Sequence, residues 1–495
     1  MSPTTFTYAA LEPTLKIERI TLQNFRCFEN VQLAFDPQLT VIVALNGQGK
    51  SSLLDAIKIA LWPYLAGFDL GSMSLDTTGI QIDDVFREKL AAHQMEWRLP
   101  CVIESFGAIE PLAHDAGRTD LEWHGRRLRD SVKRSSKTKN NAFSDAIALY
   151  GHAQVLERRV FANGQVEEEL PMLGYYGTGR LWSQKKLAGK VDKVDQASFS
   201  RTWAYRDCLA PSSSYKDFAQ WYTRVFKALR DAQIRNLEKK LGPDAEVAGD
   251  LLAPVRAVQQ AIDVILEPHT GWHWLEYSAE HDDLVLEHPE QGKLKVSQLS
   301  DGIRNMLALV GDIAYRCYKL NTHHGDKAAL LTHGIVMIDE IDMHLHPEWQ
   351  QTVLPDLQRA FPNIQFIVTT HSPQVLSSID AHCIRRLDWE LDEESGRKRM
   401  VVNTIDQQTM GVASSDVLAN VMGINPVPDV EPARQLSHYI ALIQQNLHEE
   451  PGGTALRAEL NAHFGAGHPK MLECDRLIRL QAFKRKLPLR ETGDA

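Results

Sequence analysis

The sequence predicts an α/β fold: a mixed, largely parallel sheet with flanking helices, carrying a largely helical insertion and ending in a helical C-terminal tail. Three observations predict it. From Val41 to Leu54 the chain reads VIVALNGQGKSSLL, an apolar strand running through a glycine turn into Lys-Ser and a helix. From Gly334 to Glu340 it reads GIVMIDE, an apolar strand ending in two adjacent carboxylates. From Leu299 to Asn305 it reads LSDGIRN, a polar turn that opens a helix just upstream of that strand.

The first segment has the chemistry of a phosphate cradle. Gly47 and Gly49 let the backbone turn tightly and bring N–H groups against phosphate oxygens. Lys50 reaches the β- and γ-phosphates, the Ser51 hydroxyl can ligate Mg²⁺, and Asn46, Gln48 and Ser52 complete the cofactor-binding loop. The strand Leu39 to Val43 is β-branched and apolar, and the following helix carries Leu53, Leu54, Ile57, Ala60 and Leu61 at helical spacing, so its N-terminus points at the phosphates. Ala44 stands where the usual pattern has its first glycine, which the chain tolerates only if φ there stays negative. Taken alone, the motif also reads as a glycine-rich turn between a strand and a helix.

The second segment places Asp339 where a Mg²⁺ ligand belongs and Glu340 where a water-orienting base belongs. Beyond them, Trp349, Leu354, Leu357 and Phe361 mark a helix. Ile364 to Val368 mark a strand that opens into Thr369, Thr370, His371, Ser372 and Pro373. Right-handed crossovers make such strands parallel, so Asp339, Glu340 and His371 emerge at the same carboxyl edge as the phosphate loop. In the third segment Ser300 takes the N-cap of a helix whose apolar positions Met306, Leu307, Val310, Ile313, Ala314 and Cys317 follow the 3.6 period. Free backbone N–H groups, a hydroxyl and the helix dipole converge there on an anion. By itself that segment is a well-capped helix.

These motifs in this order resemble the ABC-type ATPases of the structural-maintenance and RecF kind. The resemblance rests on the phosphate loop, the LSDGIRN signature, the acid strand ending at Asp339 and Glu340, Asp342 as the D-loop, and His371 as the switch histidine. The segment Ile17 to Phe28 is similar to that family's opening strand, with Phe25 and Phe28 in the core and Arg26 either near the nucleotide or solvated at a strand edge. What the resemblance implies is an ABC-type P-loop head that binds ATP and Mg²⁺ and works as a homodimer or higher oligomer, two heads sandwiching two nucleotides. In that scheme Lys50 and Ser51 hold phosphate and Mg²⁺, Asp339 holds Mg²⁺, Glu340 orients the attacking water, and His371 senses the γ-phosphate. Ser300, Asp301 and Gly302 complete the partner's site. Gln184 is the candidate Q-loop glutamine, against a reading as a surface-loop residue.

The expected organisation is residues 1–61 as the N-terminal part of the head, 62–292 as an inserted region, 293–405 as the C-terminal part of the head, and 406–495 as a helical region suited to partner docking. The insertion keeps no sustained 3.5 period and its prolines and glycines recur, so it is no coiled coil. Trp97, Val102 and Ile103 fall on a candidate strand. Tyr215 to Lys240 reads as a long amphipathic helix whose aromatic stripe suits packing better than base stacking, and Leu251 to Ile265 as a second helix. His344 and His346 alternate without further ligands nearby, which favours a polar helix start over a metal site.

A net charge of −10 argues against indiscriminate nucleic-acid coating. Locally, Arg126, Arg127, Arg129, Lys133, Arg134, Lys137 and Lys139 surround the single acid Asp130, a run that reads as a solvated loop or as a nucleic-acid backbone contact. The six cysteines are scattered and no apolar run is long enough to span a membrane, which points to a reducing, cytoplasmic setting. The tail lacks the acid strands of a fused Toprim nuclease, which argues against overcoming-lysogenisation nucleases. The compact insertion, the tail pattern and the segment YYGTGRLW at 175–182 are most similar to the PtuA ATPases of Septu antiphage defence, including retron-associated versions. That resemblance implies a sensor or regulatory ATPase acting with a separate HNH endonuclease of the PtuB kind, with nucleic acid or a retron reverse transcriptase and its RNA–DNA product as further partners. A RecF-like DNA-repair ATPase and a nucleotide-gated assembly module with negligible turnover are the alternatives.

Overall fold

The computed structural model describes residues 15–70, 79–91, 94–109, 121–132, 147–162, 168–180, 200–210, 215–239, 246–393 and 396–486. The chain divides into two compact units, Met1–Val417 and Leu418–Ala495.

The first unit is built on a six-stranded sheet. Its strands run Lys398–Thr404, Ile384–Leu391, Leu39–Val43, Ile364–Thr370, Gly334–Ile338 and Met172–Tyr176 in spatial order. All neighbours are parallel except the first two, which form an antiparallel hairpin. Strands Leu39–Val43, Gly334–Ile338, Ile364–Thr370 and Met172–Tyr176 are buried at every position. Continuous burial is why they read as apolar runs rather than alternating ones. A second, antiparallel sheet orders Phe28–Ala34, Arg19–Phe25, Cys101–Ile109 and Leu121–Arg129. Gln365 ties the two sheets together: its side-chain oxygen accepts from the Ile17 N–H at 3.0 Å, and its amide donates to the carbonyls of Ile17 at 2.8 Å and Asp36 at 2.9 Å. Phe25 and Phe28 are fully buried, as the opening strand implies.

The helix after the phosphate loop, Lys50–Leu65, differs from a one-faced amphipathic helix. It packs on the second sheet and on the helix Ile147–Ala162, so Leu53, Ile57 and Leu61 are buried together with Lys58, Trp62 and Tyr64. The signature helix Asp301–Leu320 packs against two long helices from the insertion, Tyr215–Glu238 and Glu246–Thr270. The aromatic stripe is core: Phe218 and Tyr222 are fully buried, and a Cβ on Gly311 would fall 2.6 Å from the Phe218 ring. A glycine at that crossing lets the two helix backbones approach around the aromatic ring.

The basic run is corrected over its first half. Arg126, Arg127 and Arg129 lie on the strand Leu121–Arg129, not in a solvated loop. Arg127 and Arg129 are 3% and 8% exposed, burial pulls Arg127 down to about 10, and Arg126 pairs with Glu104 at 3.2 Å. Buried guanidiniums cannot meet a nucleic-acid backbone. Lys133, Arg134, Lys137 and Lys139 lie outside the described residues.

In the second unit the helices Glu431–Gln445, Pro451–Phe464 and Pro469–Lys486 enclose a small core of Tyr439, Ile443, Leu460, Met471 and Cys474. Asn446, left-handed at φ 61, ends the first of them. Met471 and Cys474 therefore serve internal packing, while Leu472, Leu480 and Phe483 on the same last helix are exposed.

Candidate functional site

Four strand ends deliver the site. In the register of the parallel sheet Thr370 stands beside Val43, and Ile338 stands beside both Val368 and Tyr176, so all four strands finish at one carboxyl edge. Past that edge the lateral pairing stops and loop groups are free to meet a ligand.

The phosphate loop has its turn built in. Gly47 and Gly49 are left-handed at φ 78 and φ 89. A Cβ on Gly49 would fall 2.4 Å from Cys27 Sγ and 2.9 Å from Phe28 Cζ, so only glycine passes there. Ala44 avoids the left-handed region and gives its carbonyl to Lys50 Nζ at 3.1 Å, which accounts for the departure from glycine. Gln48 closes the loop from inside by accepting from the Leu45 N–H at 2.8 Å, while Asn46 and Gly47 sit on the exposed rim. Burial lowers the pKa of Lys50, opposed by the carboxylates of Asp339, Glu340 and Asp342.

Asp339 joins the loop to the acid strand. One of its oxygens accepts from Ser51 Oγ at 2.7 Å and the other from Thr369 Oγ1 at 2.6 Å. The Thr369 hydroxyl also accepts from the Glu340 N–H at 2.8 Å. Glu340 itself is left-handed at φ 50, which breaks the strand geometry immediately after Asp339. One step on, Asp342 accepts from Thr370 Oγ1 at 2.6 Å and from the His371 N–H at 3.3 Å. Burial, and then the Lys50 charge, push His371 below its ordinary value, so its imidazole is neutral at pH 7 and can either donate or accept.

Ser300 takes the N-cap of the signature helix, and its hydroxyl makes no capping bond. Behind it, a Cβ on Gly302 would fall 2.7 Å from the His344 carbonyl oxygen, so glycine lets the signature turn lie against the segment after Asp342. Ser300, Asp301 and Gly302 line a cavity of about 460 Å³ with His344, His346 and Trp349, and no phosphate-loop residue lines it. His346 caps the helix Pro347–Gln350 by accepting from the Glu348 N–H.

A profile of the AAA domain matches residues 19–244 of this chain, and a second AAA-domain profile, described with an AbiEii toxin of a Type IV TA system, matches residues 250–377. The chain is 28% identical to the Retron Ec83 probable ATPase of Escherichia coli, over 95% of its own length and 87% of that protein's. It is 25% identical to the Retron Vc95 probable ATPase of Vibrio cholerae serotype O1 biovar El Tor, over 76% of this chain and 74% of that one. Over 85 residues, 17% of this chain and 11% of the relative, it is 44% identical to the Septu protein PtuA of Bacillus mycoides (strain KBAB4). The chain is an ATPase that resembles the retron ATPases and, over a short segment, PtuA. Its head is the ABC-type α/β fold.

Three features of this ATPase site were left unassigned or open by the sequence. Thr369 and Thr370 orient the acids, and the only signal was a pair of hydroxyls closing an apolar strand. The strand Met172–Tyr176 brings Gly177 and Thr178 to the site edge, with the Tyr176 carbonyl accepting from the Asp339 N–H at 2.8 Å. Arg26, left-handed at φ 50, reaches Asp55 at 2.6 Å, Asp84 at 2.9 Å and Ser52 Oγ at 3.4 Å, so it braces the first turns of the phosphate-loop helix rather than sitting solvated at a strand edge. Burial opposes its charge, but Asp55 and Asp84 prevail. Gln184 lies outside the described residues.

Thr369→Val keeps the shape of the side chain but removes the hydroxyl that donates to Asp339 and accepts from the Glu340 N–H. ATP turnover should fall by roughly tenfold to a hundredfold while nucleotide affinity changes less than about threefold, because the phosphate loop is untouched. Steady-state hydrolysis together with equilibrium nucleotide binding checks this, and unchanged turnover would contradict the role given to Thr369.

Proposed function

We propose that this ATPase is the nucleotide-operated sensor or regulatory subunit of an antiphage defence complex, and that its heads dimerise around ATP to control a separate HNH nuclease. The observation that carries the nucleotide reading is the hydrogen-bonded chain Ser51–Asp339–Thr369, which couples the phosphate loop to the acid strand. The defence reading is supported by the similarity to the retron ATPases along nearly the whole chain and to PtuA over a short segment.

In this reading the N–H groups from Asn46 to Ser52 cradle the phosphates, and Lys50 exchanges the Ala44 carbonyl for β- and γ-phosphate oxygens. Mg²⁺ fits the donor set: adjacent ligands of an octahedral ion with bonds of about 2.0–2.1 Å stand about 2.9 Å apart, and Ser51 Oγ and the Asp339 oxygen are 2.7 Å apart. When bound, the ion would neutralise charge developing on the phosphates. Glu340 orients the attacking water, and the neutral His371 hydrogen-bonds the γ-phosphate. Ser300, Asp301 and Gly302 line a cavity to which no phosphate-loop residue contributes. That separation favours their acting on nucleotide held by a second copy of the chain.

Among the described residues no helix is long and apolar enough to cross a membrane, in keeping with a cytoplasmic complex. The proposed partners are a PtuB-like HNH endonuclease and, in a retron setting, the reverse transcriptase with its RNA–DNA product. Nucleic acid could be contacted directly. The exposed Leu472, Leu480 and Phe483 on the last helix are the surface we favour for the nuclease.

Lys50→Ala should abolish ATP binding, whereas Glu340→Gln should bind ATP normally and turn over on the order of a hundred- to a thousandfold more slowly. Equal ATP affinity in wild type and Lys50→Ala would remove Lys50 from the site. Negligible turnover in wild type, no faster than in Glu340→Gln, would leave only a nucleotide-gated assembly module, and substantial turnover unchanged in Glu340→Gln would remove Glu340 from the mechanism. The division of labour is checked with nuclease assays: the chain with Mg²⁺ and ATP should leave DNA and RNA intact, and adding the HNH protein should give a stable complex whose cutting follows nucleotide state. Robust cutting by the chain alone, lost on substitution within it, would contradict a two-component nuclease.

A further inference from the structure

Three side chains outside the nucleotide site converge at the opposite end of the Met172–Tyr176 strand. Glu169 precedes that strand, and His323 and His324 sit on the tight turn Thr322–Lys327 that follows the signature helix. Nε2 of His323 stands 2.8 Å from Glu169 Oε1, and Nε2 of His324 stands 2.7 Å from the same oxygen. The three ligand atoms all lie within 4.8 Å of one another. The side chains are largely withdrawn from solvent, at 16%, 11% and 28% exposure for His323, His324 and Glu169.

The two contacts are not equivalent. His323 Nε2 makes a hydrogen bond to the carboxylate, but the buried Nε2 of His324 is off the line that a hydrogen bond needs and has no hydrogen-bond partner. A ring nitrogen stripped of water, close to a carboxylate and unsatisfied by it, is a lone pair suited to a cation lying between the two.

The scaffold is fixed by bonds of its own. Asn321, fully buried, accepts from the Leu170 N–H at 2.9 Å and donates to the Leu170 carbonyl at 3.0 Å and to Thr332 Oγ1 at 3.1 Å, which holds the histidine turn in register with the Glu169 segment. Gly325, left-handed at φ 59, lets the turn reverse immediately after His324.

We propose that Glu169, His323 and His324 form a binding site for a divalent d-block cation, best matched by Zn²⁺, with water as the fourth ligand. Two imidazole nitrogens and one carboxylate suit zinc and its neighbours, whereas Mg²⁺ prefers oxygen donors, so this site is chemically distinct from the nucleotide's. Tetrahedral zinc with bonds of about 2.0–2.1 Å sets its ligands roughly 3.3 Å apart, which asks the nitrogens to draw back from the oxygen by about half an ångström. The ion would staple the C-terminal end of the signature helix to the strand whose other end supports Asp339.

The test uses the full chain, stripped with a chelator and titrated with Zn²⁺ alone, without nucleotide. Wild type should bind one ion at this site and gain roughly 5 °C in melting temperature at saturation. The double variant His323→Ala/His324→Ala should lose at least about a hundredfold in zinc affinity, and Glu169→Gln, which keeps shape but not charge, at least about tenfold. Should the double variant fail to fold, Glu169→Gln and the visible spectrum of Co²⁺-loaded wild type decide. Nitrogen–oxygen ligation without thiolate bands supports the site. Equal zinc affinity in wild type and Glu169→Gln, or a thiolate-dominated cobalt spectrum, would overturn it.

Discussion

Both oxygens of the Asp339 carboxylate are held by hydroxyls from other parts of the chain, Ser51 on one side and Thr369 on the other. The nucleotide site depends on that pair of bonds. Asp339 is 3% exposed, and a carboxylate so far from water persists only when its lone pairs are satisfied. Meeting that demand fixes the loop helix against the acid strand, and it fixes the acid strand against its neighbour through the same threonine that positions the Glu340 amide. The left-handed Glu340 then turns the chain out of the sheet. Backbone strain at that residue is tolerated because hydrogen bonds on both sides determine where it goes.

Burial does the electrostatic work around this centre. Lys50 is 7% exposed and its ammonium is destabilised by desolvation, with three carboxylates in the opposite sense. Phosphate would supply more anionic charge at short range, so the site is prepared to prefer a nucleotide over the Ala44 carbonyl that Lys50 now holds. His371 stays neutral partly because Lys50 is charged, which links the state of the phosphate loop to the hydrogen-bonding behaviour of the switch position. Deeper in the head, Asp312 accepts from Tyr176 at 2.8 Å and from Arg316 at 2.8 Å, tying the signature helix to the strand beside Asp339. Through that strand, whose Tyr176 carbonyl accepts from the Asp339 N–H, the buried network joins the signature helix to the acid strand.

Much of the site could be read from the sequence because its parts are local. A glycine turn before Lys-Ser, two acids after an apolar run and a serine before a helical period each declare their chemistry within about seven residues. What could not be read is what depends on distant pairing. The Met172–Tyr176 strand joins Gly334–Ile338 across more than a hundred and fifty positions, and nothing in its apolar run names that neighbour. Arg127 and Arg129 read as part of a basic tract, because composition does not tell a strand at the edge of a sheet from a solvated loop. Gln365 sits in an apolar strand as an apparent exception, and its reason is visible only once Ile17 and Asp36 are beside it. The Glu169 and His323–His324 cluster is hidden for the same reason, since Glu169 and His323 stand 154 positions apart in the chain.

The central claim of this account is that the signature turn serves a nucleotide bound by another copy of the chain, because it opens into a cavity that the phosphate loop does not line. Mixing Ser300→Arg protein with Lys50→Ala protein measures that claim most directly. Neither variant should hydrolyse ATP alone, and each mixed dimer would regain one intact composite site. With random pairing at equal concentrations, about a quarter of the wild-type rate should return. No recovery at any mixing ratio, with mixed dimers shown to form, would contradict it.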